Sequence, residues 1–127
     1  MAIERFEDIE AWKEARILTQ MVYRVSRGER FARDFKLVNQ ICSAASSVMN
    51  NVAEGFDSQS DKEFIQFLTY ARRSATEVQS ELYIALDQEY IALADFETIY
   101  QQATKTKKLI NGFIRYLRTS PTKETKD

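Results

Sequence analysis

The chain has 127 residues, 44% of them apolar and 29% charged, with only three glycines and one proline, which excludes a loop-rich or disordered protein and suits a single domain with a core of its own. Eighteen basic residues against nineteen acidic ones leave a net charge of -1. No global field therefore draws the protein to nucleic acid or to a membrane, and any such contact has to be local.

The acidic opening MAIERFEDIE lacks the apolar run of a secretory leader, and no later stretch is long and apolar enough to span a bilayer, so a cytoplasmic protein without a membrane partner is expected. A first helix is expected over residues 8–27. Ile17, Leu18, Met21, Val22 and Val25 share one face, Phe6, Ile9 and Trp12 extend it, and Gly28 is the expected stop. Asp34 is the expected N-cap of a second helix over residues 34–54, ended by Gly55 as a left-handed residue.

The second helix carries Leu37/Val38, Ile41/Cys42, Ala44/Ala45, Val48/Met49 and Val52/Ala53 at three-and-four spacing, which places them on one core stripe. Cys42, the single cysteine, is read there as a small core residue. The other rows break the habit of a solvated helix. Leu37 to Ala53 holds no charge, and Gln40, Ser43, Ser47 and Asn50 stand where Lys and Glu are usual. Burying an unpaired charge is costly, whereas serine and amide side chains are satisfied across a close contact. That face is therefore expected to be covered by another subunit.

Ser60 with Glu63 forms a capping box opening a third helix over residues 61–89, whose core stripe is Phe64, Phe67, Leu68, Ala71, Ala75, Val78, Leu82, Ala85 and Leu86. A second row, Ile65, Arg72, Thr76 and Tyr83, lies off that stripe. Its two large apolar side chains around an arginine suit the same subunit interface or its rim. A fourth helix over residues 94–117 buries Phe96, Ile99, Ala103, Ile110, Phe113 and Leu117. Short links between long helices favour antiparallel neighbours. The expected fold is all-α, an antiparallel up-down-up-down four-helix bundle over residues 1–118, with residues 119–127 as a mobile tail.

Catalysis is not expected. The chain has no histidine, hence neither the commonest general base nor the commonest transition-metal ligand, and no glycine loop to cradle phosphate. No catalytic, cofactor-binding or metal-ligating residue is assigned. Basic residues gather in two places that an alternating bundle sets toward opposite ends: Arg24, Arg27 and Arg30 with Arg33 and Lys36, and Lys105, Lys107, Lys108, Arg115 and Arg118. These are the candidate phosphate contacts; solvated helix ends favoured by the macrodipole are the alternative. The acidic start, Glu4, Glu7, Asp8 and Glu10, is placed to neutralise the second cluster. Asn51, Glu54, Arg72 and Glu77 are read as a structural polar network in which Glu54 pairs with Arg72.

Gln40, Ala44-Ala45, Ser47 and Asn51-Val52-Ala53-Glu54-Gly55-Phe56 resemble the core motif of the 23S rRNA intervening-sequence proteins, also labelled S23. Phe6-Glu7-Asp8-Ile9 with Trp12 and Ala15 resembles that family's opening. Ser60, Glu63-Phe64, Phe67-Leu68, Ala71-Arg72, Ser74 and Glu77 resemble its third-helix signature, and Tyr90-Ile91 the turn that follows. The resemblance runs from Phe6 to Leu117. It departs at Cys42-Ser43, where the family often has two basic residues, at Met49 in place of a common proline, and at Arg73 in place of a common glycine. It implies an antiparallel four-helix bundle that assembles as a homopentamer, with kinship to the accessory variability protein of diversity-generating retroelements, which binds a reverse transcriptase and nucleic acid. The expected function is a non-enzymatic oligomeric scaffold or adaptor whose partners are further copies of itself and RNA, DNA or a reverse-transcriptase-like protein. The alternative is a purely structural interaction module with no nucleic-acid role.

Overall fold

A computed structural model describes residues 3–119. A single 3-10 turn, Phe6–Asp8, precedes α1 (Glu10–Val25); a second, Phe31–Arg33, leads into α2 (Phe35–Phe56), which is followed by α3 (Asp61–Asp87) and α4 (Leu93–Thr119). Helix α1 packs on α2, α2 on α3, α3 on α4, and α4 returns to α1. The result is an all-α bundle of alternating direction, with no strand among the described residues. The tail expected to be mobile lies outside the described residues apart from Thr119, which closes α4.

The helix ends follow from short-range hydrogen bonds. The Leu37 amide donates to Asp34 Oδ1 at 3.1 Å, so Asp34 caps α2. Asp34 Oδ2 accepts from the Tyr90 hydroxyl at 3.0 Å, which ties the α1–α2 connection to the α3–α4 connection at one end of the bundle and pushes the Tyr90 hydroxyl up from its usual pKa. The Glu63 amide donates to Ser60 Oγ at 3.2 Å; the Glu63 carboxylate returns to the Gln59 amide at 2.9 Å, not to that of Ser60. At the other end of α3, Glu89 takes a left-handed φ of 60° and the Tyr90 amide closes on the Ala85 carbonyl at 2.9 Å.

Three sequence expectations are corrected. Helix α1 begins at Glu10 because Ile9 is extended, buried in the core and preceded by the 3-10 turn. Ile17 is 39% exposed; Ala11, Ala15, Leu18 and Val22 make the buried face instead. Gly55 does not end α2 with a left-handed residue, since no described glycine has positive φ and the helix continues through Phe56. Its small size serves packing. A Cβ there would sit 2.7 Å from Phe64 Cδ1 and 3.0 Å from Phe67 Cβ, so glycine lets α2 approach the first turn of α3.

The core between the helices is built from Leu18 and Val22 of α1, Ile41, Val48 and Val52 of α2, Phe64, Leu68 and Leu82 of α3, and Ile110 and Leu117 of α4. Ile114 takes a buried place on α4 and Phe113 is only half-buried, where it packs edge-on against Phe64 at 5.0 Å. Cys42 is buried with its sulfur 3.6 Å from Ser26 Oγ.

Candidate interaction surfaces

The uncharged face of α2 divides in two. Ser47 is half-buried, its Oγ 2.9 Å from Ser74 Oγ on α3, and Asn51 donates to the Ser47 carbonyl at 2.8 Å and to Ser47 Oγ at 2.9 Å. These residues close the seam between α2 and α3 within one subunit. Gln40, Ser43 and Asn50, together with Asn39, are exposed and form an outward row with no charge.

The row on α3 faces elsewhere. Residues 72 and 74 are separated by about 200° around a helix, so with Ser74 against α2, Arg72 points to the α4 side. There Arg72 Nη1 donates to Asn111 Oδ1 at 2.8 Å, and Tyr83, 50% exposed, rests its ring on Phe96 at 4.8 Å and Tyr100 at 5.9 Å. Ile65 packs against the core from a half-buried position, and the exposed Thr76 hydroxyl bonds the Arg72 carbonyl at 3.3 Å. Gln79, buried on the same seam, donates to Thr104 Oγ1 at 2.9 Å and to the Tyr100 carbonyl at 3.2 Å, and accepts from Lys107 Nζ at 2.9 Å. Arg72 is therefore engaged within the subunit on the α4 side, and the half-exposed Tyr83 on that flank lies away from the outward row of α2 that holds Ser43 and Asn50.

The expected Glu54–Arg72 pair is not formed. Glu54 is exposed near the α2–α3 connection, and Arg72 is held by Asn111 from the helix on its other side. Asn51 bonds only along the α2–α3 seam, and Glu77 is exposed beside another acid, Glu81.

The two basic clusters differ in what their own subunit does with them. Lys105 lies 3.4 Å from Glu14, whose carboxyl is held below the usual range chiefly by the Gln102 amide, 2.8 Å away, and then by Lys105. Lys107 is half-buried on Gln79. Lys108, Arg115 and Arg118 are exposed on α4. Around the α1–α2 connection, Arg24, Arg27, Arg30, Arg33 and Lys36 are all exposed; Arg30 lies over the Tyr90 ring at 5.5 Å and Arg33 meets Glu29 at 3.4 Å. At the opposite end of the bundle an open cleft of about 970 Å³ is lined by the acids Glu4, Glu7, Glu54 and Asp57 over Phe56 and Phe67, with Arg5 engaged by Glu7 at 2.8 Å, while Arg115 and Arg118 are exposed near the end of α4.

One residue escaped the sequence reading. Glu81 is only 7% exposed, and its Oε1 has no hydrogen-bond partner among the described residues. Burial first, and the neighbouring Glu77 carboxyl second, push its pKa up to about 7. A signal was present. Glu81 stands three residues after Val78 and four before Ala85, in phase with the buried stripe, and seven after Ser74.

Four antiparallel helices with a polar seam on each flank of α3 define an all-α bundle of the four-helix class. The family model for the 23S rRNA-intervening sequence protein matches residues 7–112, and the chain belongs to that family. Among solved structures, one similar fold is the crystal structure of a protein with unknown function from the S23 ribosomal protein family of Bacteroides thetaiotaomicron. It is 24% identical, covers 83% of this chain and 98% of its own, and superposes with a TM-score of 0.76. No curated protein matches the sequence.

Proposed function

We propose that this protein is a non-enzymatic scaffold that works as a homo-oligomer, its subunits packed side by side through the outward face of α2. The observation that carries this reading is the row Asn39, Gln40, Ser43 and Asn50, exposed yet without charge in a chain that is 29% charged. A lone subunit has no physical need to keep Lys and Glu off that face; a close helix contact does, because an unpaired charge trapped in it costs several kcal/mol. Five subunits in a closed assembly complete the proposal from the family resemblance, and the cytoplasm is the compartment proposed. Light scattering at micromolar concentration tests it: the parent is expected as an oligomer and Ser43→Glu as a folded monomer. A monomeric parent overturns the reading.

A second reading, contact with RNA or DNA, is favoured by the end of the bundle that carries Arg24, Arg27, Arg30, Arg33 and Lys36. The α4 cluster is the poorer candidate, because Lys105 and Lys107 are engaged by Glu14 and Gln79. Repetition of the end that carries Arg24 in an oligomer would give sequence-tolerant binding that weakens steeply between about 50 and 200 mM salt. Replacing Arg24, Arg27 and Arg30 by alanine is expected to abolish it, and replacing Lys105, Lys107 and Lys108 to weaken it less. Absence of binding by the parent at about 50 mM salt removes the nucleic-acid role and leaves the structural one.

A further inference from the structure

The two polar seams of α3 are not equally satisfied. On the α4 side Arg72 and Gln79 both find partners within the chain, in Asn111, Thr104 and Lys107. On the α2 side the Ser47–Ser74 contact fixes an antiparallel register, and seven residues further along each helix the same register sets Gln40 opposite Glu81. Glu81 is more than nine-tenths buried there, with Oε1 unpaired. Its neighbour one turn earlier is Glu77, an exposed acid close enough to raise the pKa of Glu81 further. A buried carboxylate oxygen needs a donor, and α2 carries no Lys or Arg between Leu37 and Ala53; Lys36, one turn before Gln40, is exposed and forms no ion pair with Glu81. The charge-free stretch that opens α2 to a neighbour thus also places no cation directly opposite Glu81.

We propose that Glu81, with Glu77 at its mouth, receives an arginine or lysine side chain from a neighbouring copy of this chain. The inference rests on the assembly proposed above and names the polar contact that orients it. Glu77 is exposed at the edge of the site, and the exposed Gln40 and Ser43 of α2 offer an approaching helix no competing charge. The donor is present in every copy. Arg73 of α3, Arg24 of α1 and Arg27 just beyond it are exposed and form no ion pair with a carboxylate among the described residues. A partner arginine would bond both carboxylates at once, the geometry that makes guanidinium the usual choice for such a site.

A proton shared by the two acids would instead remove the buried charge, and the experiment separates the two. Glu81→Gln keeps the shape and hydrogen-bonding capacity of a protonated Glu81 but cannot hold a cation. Sedimentation or light scattering across a dilution series at pH 8 is expected to show the parent assembled and Glu81→Gln dissociating at concentrations about tenfold higher or more, with helix content by circular dichroism unchanged. Glu77→Gln, at an exposed position where the fold is not at stake, is expected to weaken assembly in the same direction by a smaller factor. Assembly of Glu81→Gln and Glu77→Gln at the parent's concentration overturns the proposal, leaving a proton or an unrelated protein's cation as what Glu81 meets. A parent that is monomeric throughout overturns the assembly itself, and the two failures are told apart by the parent's own mass.

Discussion

Ser47 on α2 and Ser74 on α3 hold their hydroxyl oxygens 2.9 Å apart, and Asn51 locks Ser47 from one turn further along. This small contact lets the two helices lie close and assigns the outer row of α2 to a different task from the inner one. Ser47→Glu would force a charge and three extra heavy atoms into that seam. It is expected to lower the stability of the subunit by about 1–3 kcal/mol, measured by denaturant melts, while Ser43→Glu on the exposed row dissociates the oligomer and leaves the subunit melt within about 0.5 kcal/mol of the parent.

Gly55 is where the packing of α2 on α3 is tightest. Gly55→Ala brings a methyl against the Phe64 ring and the Phe67 Cβ, with the backbone of α3 behind them. A loss of about 1–3 kcal/mol is expected, against almost none for Gly28→Ala, whose Cβ would meet only the Val25 carbonyl at 3.4 Å. Equal midpoints for the two variants in urea would remove the steric account of Gly55.

Glu89 holds a left-handed conformation with φ of 60° at the end of α3, a region in which a side chain costs about 1 kcal/mol or more relative to glycine. Glu89→Gly is expected to raise stability by about 1 kcal/mol and the thermal midpoint by a few degrees, because the turn is kept and its strain relieved.

Arg72 and Asn111 provide a test of which polar contact matters on the other seam. Asn111→Ala leaves a half-buried guanidinium without its acceptor and is expected to cost about 1–3 kcal/mol. Glu54→Ala, at an exposed position away from Arg72, is expected to stay within about 0.5 kcal/mol of the parent. A cost for Glu54→Ala equal to that of Asn111→Ala would restore the pair that the sequence suggested.

The raised pKa of Glu81 makes the isolated subunit sensitive to pH. Its ordinary value of 4.5 becomes about 7 in the fold, so the folded state binds the proton more tightly than the unfolded state. The stability this supplies is complete below pH 4.5 and is lost as pH rises through about 7, by about 3 kcal/mol in total at about 1.4 kcal/mol per unit. In a Ser43→Glu background, which keeps subunits apart, chemical denaturation from pH 4.5 to 8 is expected to show that decline from this residue, and Glu81→Gln to remove it.

Local chemistry written into the chain was sufficient for the four helices and for two of their starts. Three-and-four spacing decides which residues share a stripe, and the Asp34 and Ser60 caps bond only three residues on, so neither needs the rest of the fold. The absence of charge from Leu37 to Ala53 is equally a property of the sequence. What tertiary structure decided is which side of each helix meets which neighbour. A difference of two residues turns α3 by about 200°, enough to send Arg72 to Asn111 on α4 and Ser74 to Ser47 on α2, and no periodicity in α3 alone tells those flanks apart. The same holds for Gly55, whose role comes from a ring nine residues away across a turn, and for Glu81. A carboxylate in phase with a buried stripe becomes an acid of near-neutral pKa only when packing withdraws it from water beside a second carboxyl, and that depends on how α3 is seated against its neighbours.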